Sequence, residues 1–374
     1  MRATIVGAGA IAHAHAHALA KIDGATLTGV VDVDHERAKK LAEAFGATSV
    51  GTDVGAALAA GDVDVLHVCT PPSVHLDAAV AALAAGVHVV LEKPPVLSLA
   101  EMDVLLAAEA ASSAALTVIV QHRFGAGAVR LRDLIARGAL GRPLVAVCDT
   151  LWFRAPAYYE VPWRGRWETE GGGTTMGHGI HQFDLLLSLL GPWSEVRAIA
   201  ARQARDTETE DVSMALVTFD NGAVASVVNS TLSPRETSVV RIDTERATVE
   251  LEHLYGYDDS HWTFTPAPGD DDAADLWVPD ASAPESGHLG QLAPTYAAFA
   301  AGEPPPVSGA EARRTLELAA AIYRSAFTGE TVRAGNIGPD DPFARSMEGS
   351  GAPWAGTPSE PPPGPAPAPT GRAR

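Results

Sequence analysis

Cysteine is almost absent from this chain of 374 residues: only Cys69 and Cys148 occur, far apart and without C-x-x-C spacing. That excludes a disulfide framework or a thiolate metal site and leaves two reduced core residues. Long apolar runs are missing as well. None approaches the about 20 residues that a membrane-spanning helix needs. Basic residues are scarce, 27 Lys and Arg against 46 Asp and Glu, and the formal net charge of -19 excludes nucleic acid and anionic membrane surfaces as partners. With 46% apolar and 20% charged residues, the composition is that of a water-soluble globular protein, and the length suits two domains. Met1–Val6 reads as a strand leading into a glycine turn, not as a leader, so a cytoplasmic location is expected.

Up to about residue 120 short apolar runs alternate with alanine-rich helical stretches. Strands are predicted at Ala3–Val6, Leu27–Val31, Val63–Val68, Val87–Leu91 and Leu116–Val120, with helices near 10–20, 35–45, 53–60, 74–85 and 99–113. This is the pattern of an α/β domain, a doubly wound parallel sheet that collects ligands at the carboxyl ends of its strands. The texture then changes. Helices near 126–137 and 177–190 flank a strand at Leu144–Phe153, and Asp220-Asn221-Gly222 joins two alternating runs as a hairpin. Two helices follow, near 289–301 and 309–327. The expected division is a Rossmann domain over 1–121, an α+β domain with a mostly antiparallel, open-faced sheet over 122–345, and a disordered proline-rich tail over 346–374. Segment 266–287 is read as an exposed loop, and the open sheet face predicts a homodimer or homotetramer.

Four motifs carry chemistry. Gly7, Gly9, Ala10, Ile11 and Ala12 stand between the first strand and the first helix, where a tight turn, close backbone approach and free helix N–H groups hold a pyrophosphate. Asp32 ends the second strand. Its carboxylate suits the ribose hydroxyls of NAD, whereas Arg37 would serve the 2′-phosphate of NADP; NAD is the favoured cofactor. Thr70-Pro71-Pro72 and Glu92-Lys93-Pro94 end two later strands at the same sheet edge and are assigned to the cofactor site. His75 either joins that site or is an ordinary first-turn residue. Lys93 is placed to hydrogen-bond a reacting oxygen and stabilise its developing charge. Gly171-Gly172-Gly173 precedes His178 and His181. His13 and His17 lie one helical turn apart, but no third ligand is near in sequence and no metal is assigned.

Gly7-x-Gly9 with His15, Thr70-Pro71-Pro72, Glu92-Lys93-Pro94, Arg123-Phe124 and the Gly-Gly-Gly…His…Asp segment occur in this order over about residues 2–335. In this the chain resembles the glucose–fructose oxidoreductase / inositol dehydrogenase / rhizopine-catabolism (Gfo/Idh/MocA) family. The resemblance implies an NAD(P)-dependent oxidoreductase acting on the hydroxyl or carbonyl of a sugar, inositol or related polyol. It implies Lys93 as the polarising group, His181 as general acid/base and His15 at the nucleotide site. The family usually carries an aspartate four residues before that histidine; here the position is Gly177, and His178 is the candidate substitute. Asp184 matches a family position and is read as either functional or structural. Arg123, Trp163 and Arg164 either border the substrate with His181 or serve interdomain packing. Two further readings stay open: a redox-neutral glycosidase or lyase that reoxidises its cofactor within one cycle, and a non-catalytic NAD- or sugar-sensing regulator.

Overall fold

A computed structural model describes residues 1–280 and 284–356. Strands β1 (Arg2–Val6), β2 (Thr26–Val31), β3 (Ser49–Gly51), β4 (Val65–Val68), β5 (His88–Leu91) and β6 (Leu116–Val118) form an all-parallel sheet in the order β3-β2-β1-β4-β5-β6. Helices α1 (Ala10–Leu19), α2 (His35–Phe45), α3 (Val54–Ala59), α4 (His75–Ala84) and α5 (Leu99–Ala110) make the crossovers. The strand order reverses between β1 and β4, which opens a crevice at their carboxyl ends. The three-residue β3 is too short and too polar to have shown as a strand in the sequence.

The second domain contains α6 (Ala126–Ala136), β7 (Pro143–Phe153), the four-residue α7 (Trp167–Glu170) and α8 (Ile180–Leu190). Strands β8 (Trp193–Ala201), β9 (Val212–Phe219), β10 (Val224–Ser230), β11 (Leu232–Thr244), β12 (Ala247–His253) and β13 (Trp262–Pro266) follow. The short α9 (Asp271–Ala274), then α10 (His288–Ala301), α11 (Gly309–Thr328), β14 (Val332–Arg333) and α12 (Pro342–Arg345) complete the described chain. The eight strands run β13-β12-β11-β7-β10-β9-β8-β14, antiparallel throughout except where β7 meets β10. Asn221 bonds Ala223 N and Leu190 O, fixing the predicted hairpin turn to the end of α8.

Three sequence expectations change here. Helix α10 belongs spatially to the nucleotide domain. Its Leu292, Tyr296 and Phe299 join the buried cluster around β1, α1 and α2, and Gln291 bonds Val118 O and Val120 N at β6. The segment after 266 is not simply exposed, because Trp277 is buried, stacks on Phe264 and lies under the Arg130 guanidinium. The expected disorder does not begin at 346. Met347 and Ala352 are buried, and the Trp354 indole donates to Glu208 O. The proline run from Pro361 lies outside the described residues. Cys69 and Cys148 are both buried and free, and no helix of the described residues is long and apolar enough to cross a membrane.

Of the two readings left open for Arg123, a substrate border and interdomain packing, its contacts fit the second. It lies in the turn Gln121–Phe124 and makes two 2.7 Å bonds to Asp184 on α8 and a 3.1 Å bond to Glu311 on α11. Thr315 donates to the same Asp184 carboxylate. Two guanidinium donors form a buried bidentate pair with Asp184 and a third reaches Glu311, so the side chain fixes the chain leaving the first domain against two helices of the second. Arg123→Ala would strand a buried carboxylate. The expected cost is about 3–5 kcal/mol, read as a lower urea midpoint.

Candidate active site

The glycine turn is built to admit a phosphate. Gly7 holds φ +89°, and a Cβ there would stand 2.6 Å from Cys69 O. Gly9 and Ala10 are exposed, nothing lies within 4 Å of a Cβ placed on Gly9, and no side chain caps α1. Ile11 continues this first turn while Ala12 packs fully buried. Asp32 is pinned beside the turn by Ala8 N at 2.7 Å, Asp34 N at 2.8 Å and Arg37 Nη2 at 2.7 Å. Burial would raise its pKa, but these donors outweigh it and hold the carboxyl below the usual range. Arg37 is committed to Asp32 instead of being free for a 2′-phosphate. These features fit NAD: α1 and Gly9 would hold its pyrophosphate and Asp32 its ribose.

Glu92, assigned to the cofactor site from sequence, and His75, for which that site was one of two readings, turn inward. The His75 ring nitrogens contact Thr70 O at 2.8 Å and Pro94 O at 3.0 Å, tying the Thr70-Pro71-Pro72 turn to the Glu92–Pro95 turn. Glu92 Oε1 accepts from His15 Nε2 at 2.9 Å and His288 Nε2 at 3.1 Å, and Oε2 accepts from Lys93 N. Burial opposes this charge, but the two imidazoles hold the Glu92 carboxyl well below the usual range. Burial also keeps His15 and His67 neutral. Because His15 donates from Nε2, its Nδ1 accepts from His67 Nδ1 at 2.8 Å, and His67 Nε2 then accepts the Tyr296 hydroxyl proton at 2.7 Å. His15 thus serves the site through Glu92, not by touching a nucleotide. The ligating atoms of His15, Glu92 and His288 lie within 4.8 Å of one another, at hydrogen-bond distances. His13 and His17 are exposed.

Lys93 points from the Rossmann edge into the second domain, where Nζ donates to Gly177 O at 3.1 Å. Burial lowers its pKa first; Arg164 and Arg154 act the same way, against Glu92 and Glu170. Gly177 lies in a π-helical turn, Thr175–Gly179, that runs into α8. Such wide turns inside helices recur at functional sites. The turn is anchored by Glu210, whose carboxylate accepts from Gly173 N at 3.0 Å, Thr175 N at 2.9 Å and Tyr323 Oη at 2.8 Å. Side chains at Gly172 and Gly173 would collide with Tyr323 and Glu210, which explains the glycine run. His181 is 4% exposed, stacks on His122 at 4.9 Å and meets Tyr255 edge-on at 5.4 Å. Burial, Lys93 and His122 hold it neutral, and its ring makes no hydrogen bond to a described residue.

His178 faces a different group. Its Nε2 accepts from Arg154 at 3.2 Å and lies 3.3 Å from the Tyr158 hydroxyl. Arg164 bonds Tyr158 and stacks on the rings of Tyr158 and Trp163. Trp163 and Arg164 are partly exposed beside the turn that carries Gly177, whereas Arg123 lies apart in its ion pair. Among the residues here that were not picked out from the sequence are Glu170, Arg154, His122 and Tyr255. Only His122, next to Arg123, and Glu170, next to the glycine run, stand beside a recognised motif.

Residues 1–121 match the model of an oxidoreductase family with an NAD-binding Rossmann fold, and residues 128–250 match the GFO/IDH/MocA C-terminal domain. The chain is similar to the putative UDP-kanosamine synthase oxidoreductase subunit of Amycolatopsis mediterranei, 32% identical over 54% of this chain and 61% of that protein. It is 28% identical to D-glucoside 3-dehydrogenase of Escherichia coli over 55% of this chain and 64% of that one. These matches therefore span less than two thirds of either relative's length. The WlbA dehydrogenase of Bordetella pertussis, solved with NADH and UDP-GlcNAcA, superposes with a TM-score of 0.79 at 28% identity, covering 89% of this chain and 98% of that one.

Asp32→Gly should free Arg37 and remove the charge that repels a 2′-phosphate. Titration of both dinucleotides is expected to shift the NAD:NADP affinity ratio by about tenfold or more toward NADP.

Proposed function

Since the chain belongs to the Gfo/Idh/MocA oxidoreductase family, with an NAD-binding Rossmann domain and that family's C-terminal domain, we propose that it oxidises a ring hydroxyl of a hexose-type sugar to a ketone. The observation that carries this reading is the meeting of Lys93, from the carboxyl edge of the parallel sheet, with the turn that leads to His181. When bound in the crevice, the nicotinamide supplies a hydride acceptor. Lys93 Nζ, now on Gly177 O, offers hydrogen bonds to the substrate oxygen as negative charge develops on it. Neutral His181, whose ring nitrogens bond no described residue, hydrogen-bonds the same oxygen beside Lys93, and its stacking on His122 fixes the ring plane. Arg154, Arg164 and Trp163 flank the approach. The names D-glucoside 3-dehydrogenase and UDP-kanosamine synthase, and the UDP-GlcNAcA held by the WlbA dehydrogenase, support a pyranose, free or carrying a nucleoside diphosphate.

We also propose that the outer face of the eight-stranded sheet joins two copies of the chain. Ile199 on β8, Met214 and Leu216 on β9 and Val224 on β10 are exposed there, Leu216 to 67%. An apolar patch of this kind marks an interface.

Mixing the protein with NAD and a pool of glucosides and UDP-sugars should produce reduced nicotinamide. Lys93→Ala should lower kcat by about 10³-fold while the Kd for NAD changes less than about threefold. A Lys93→Ala variant of full activity would overturn the assignment. Ile199→Asp/Leu216→Asp should yield a monomer by light scattering, and an unchanged mass would reject the interface.

A further inference from the structure

Glu170 ends α7 and is 4% exposed, yet its carboxylate is only partly satisfied. Oε2 accepts from Gly165 N, whereas Oε1 lies 3.6 Å from Arg164 Nη1, beyond hydrogen-bond reach. Oε1 also stands 3.3 Å from where a Cβ on Gly177 would be. Lys93 Nζ donates to the carbonyl of that same Gly177. The carboxylate and the ammonium thus converge on one residue, and the missing side chain at 177 leaves the room that lets them do so. Arg164, Glu210 and Lys93 act electrostatically on Glu170, and Arg154, Tyr158 and His178 complete the polar surroundings of the turn.

We infer that Glu170 is the proton-accepting partner of Lys93, acting through that lysine and standing in for a carboxylate at position 177. The inference rests on the dehydrogenase reading above. In the oxidative direction the substrate O–H bond breaks as an N–H bond forms on the Lys93 amine. That N–H bond then breaks and the proton passes, through a water bridging the two groups beside Gly177, to Glu170, where an O–H bond forms. The two electrons of the C–H bond leave with the hydride to the NAD named above, and the C=O bond forms from the O–H pair. Neither oxidant nor reductant beyond NAD is needed. Glu170 is a relay residue that does not itself touch the substrate.

The carboxyl suits such an exchange. Burial is the main cause that raises it to about 7, with Glu210 adding to the rise and Gly165 N–H, Arg164 and Lys93 opposing it. Its folded value lies above that of a free glutamate, so between about pH 4.5 and 7 the folded protein keeps a proton that the unfolded chain has released. Stability from this group is complete below that window and falls as pH rises through it.

The test is Glu170→Gln in the full chain. Its kcat for sugar oxidation should fall by about 10²-fold with KM and NAD affinity little changed, and the inflection of the kcat profile near pH 7 should vanish. By thermal melting, the variant should gain on wild type as pH rises from 5 to 8. Moving the carboxylate across, in Glu170→Gln/Gly177→Asp, should recover about tenfold of the lost rate. Glu170→Gln with wild-type kcat and an unchanged inflection would overturn the relay while leaving the dehydrogenase reading intact. So would a melting difference that is flat with pH. A wild-type protein that reduces no nicotinamide with any sugar would overturn both.

Discussion

The site depends on one buried charge. Glu92 sits at the end of β5 with its carboxylate shielded from water, and a lone buried carboxylate is costly enough that it must be paired or protonated. Here it is paired by His15 from α1 and His288 from α10. Satisfying that carboxylate therefore fixes the helix that follows the glycine turn, the strand edge that carries Lys93 and a helix from far along the chain. Lys93 can project into the second domain because the residue before it is held so firmly.

Across the cleft the constraints are steric. The glycine run after α7 exists because Tyr323 and Glu210 fill the space where side chains would go, and Glu210 in turn bonds the N–H groups that start the π-helical turn. The consequence is a turn whose carbonyl at Gly177 meets Lys93. Gly177 and Glu170 are two halves of one arrangement: a side chain at 177 would crowd the carboxylate that approaches it.

The parallel sheet was legible in the sequence because strand runs and helical stretches differ in period, and Asp34, Asp53 and Ser98 cap their helices as residues of that type do. Lys93 and His181 drew attention in the sequence because each stands in a motif. Glu170 did not, since it reaches Gly177 through an irregular path of glycines with no helical spacing between them. Which of its two readings suits Arg123 stayed open for the opposite reason. A charged residue beside a motif suggests a ligand, and nothing local reveals that Asp184 and Glu311, on two later helices, hold it. Glu92 looked like a cofactor contact because His288, which turns it inward, lies 196 residues away.

Helix α10 has a bearing on biosynthesis. The nucleotide domain's own strands are finished by Val118, but Leu292, Tyr296 and Phe299 belong to its core and Gln291 closes the edge of β6. As the chain leaves the ribosome, the first domain must wait, with apolar surface uncovered, until the intervening sheet domain has been made. The two domains are separate in sequence but are interleaved in the order of their assembly.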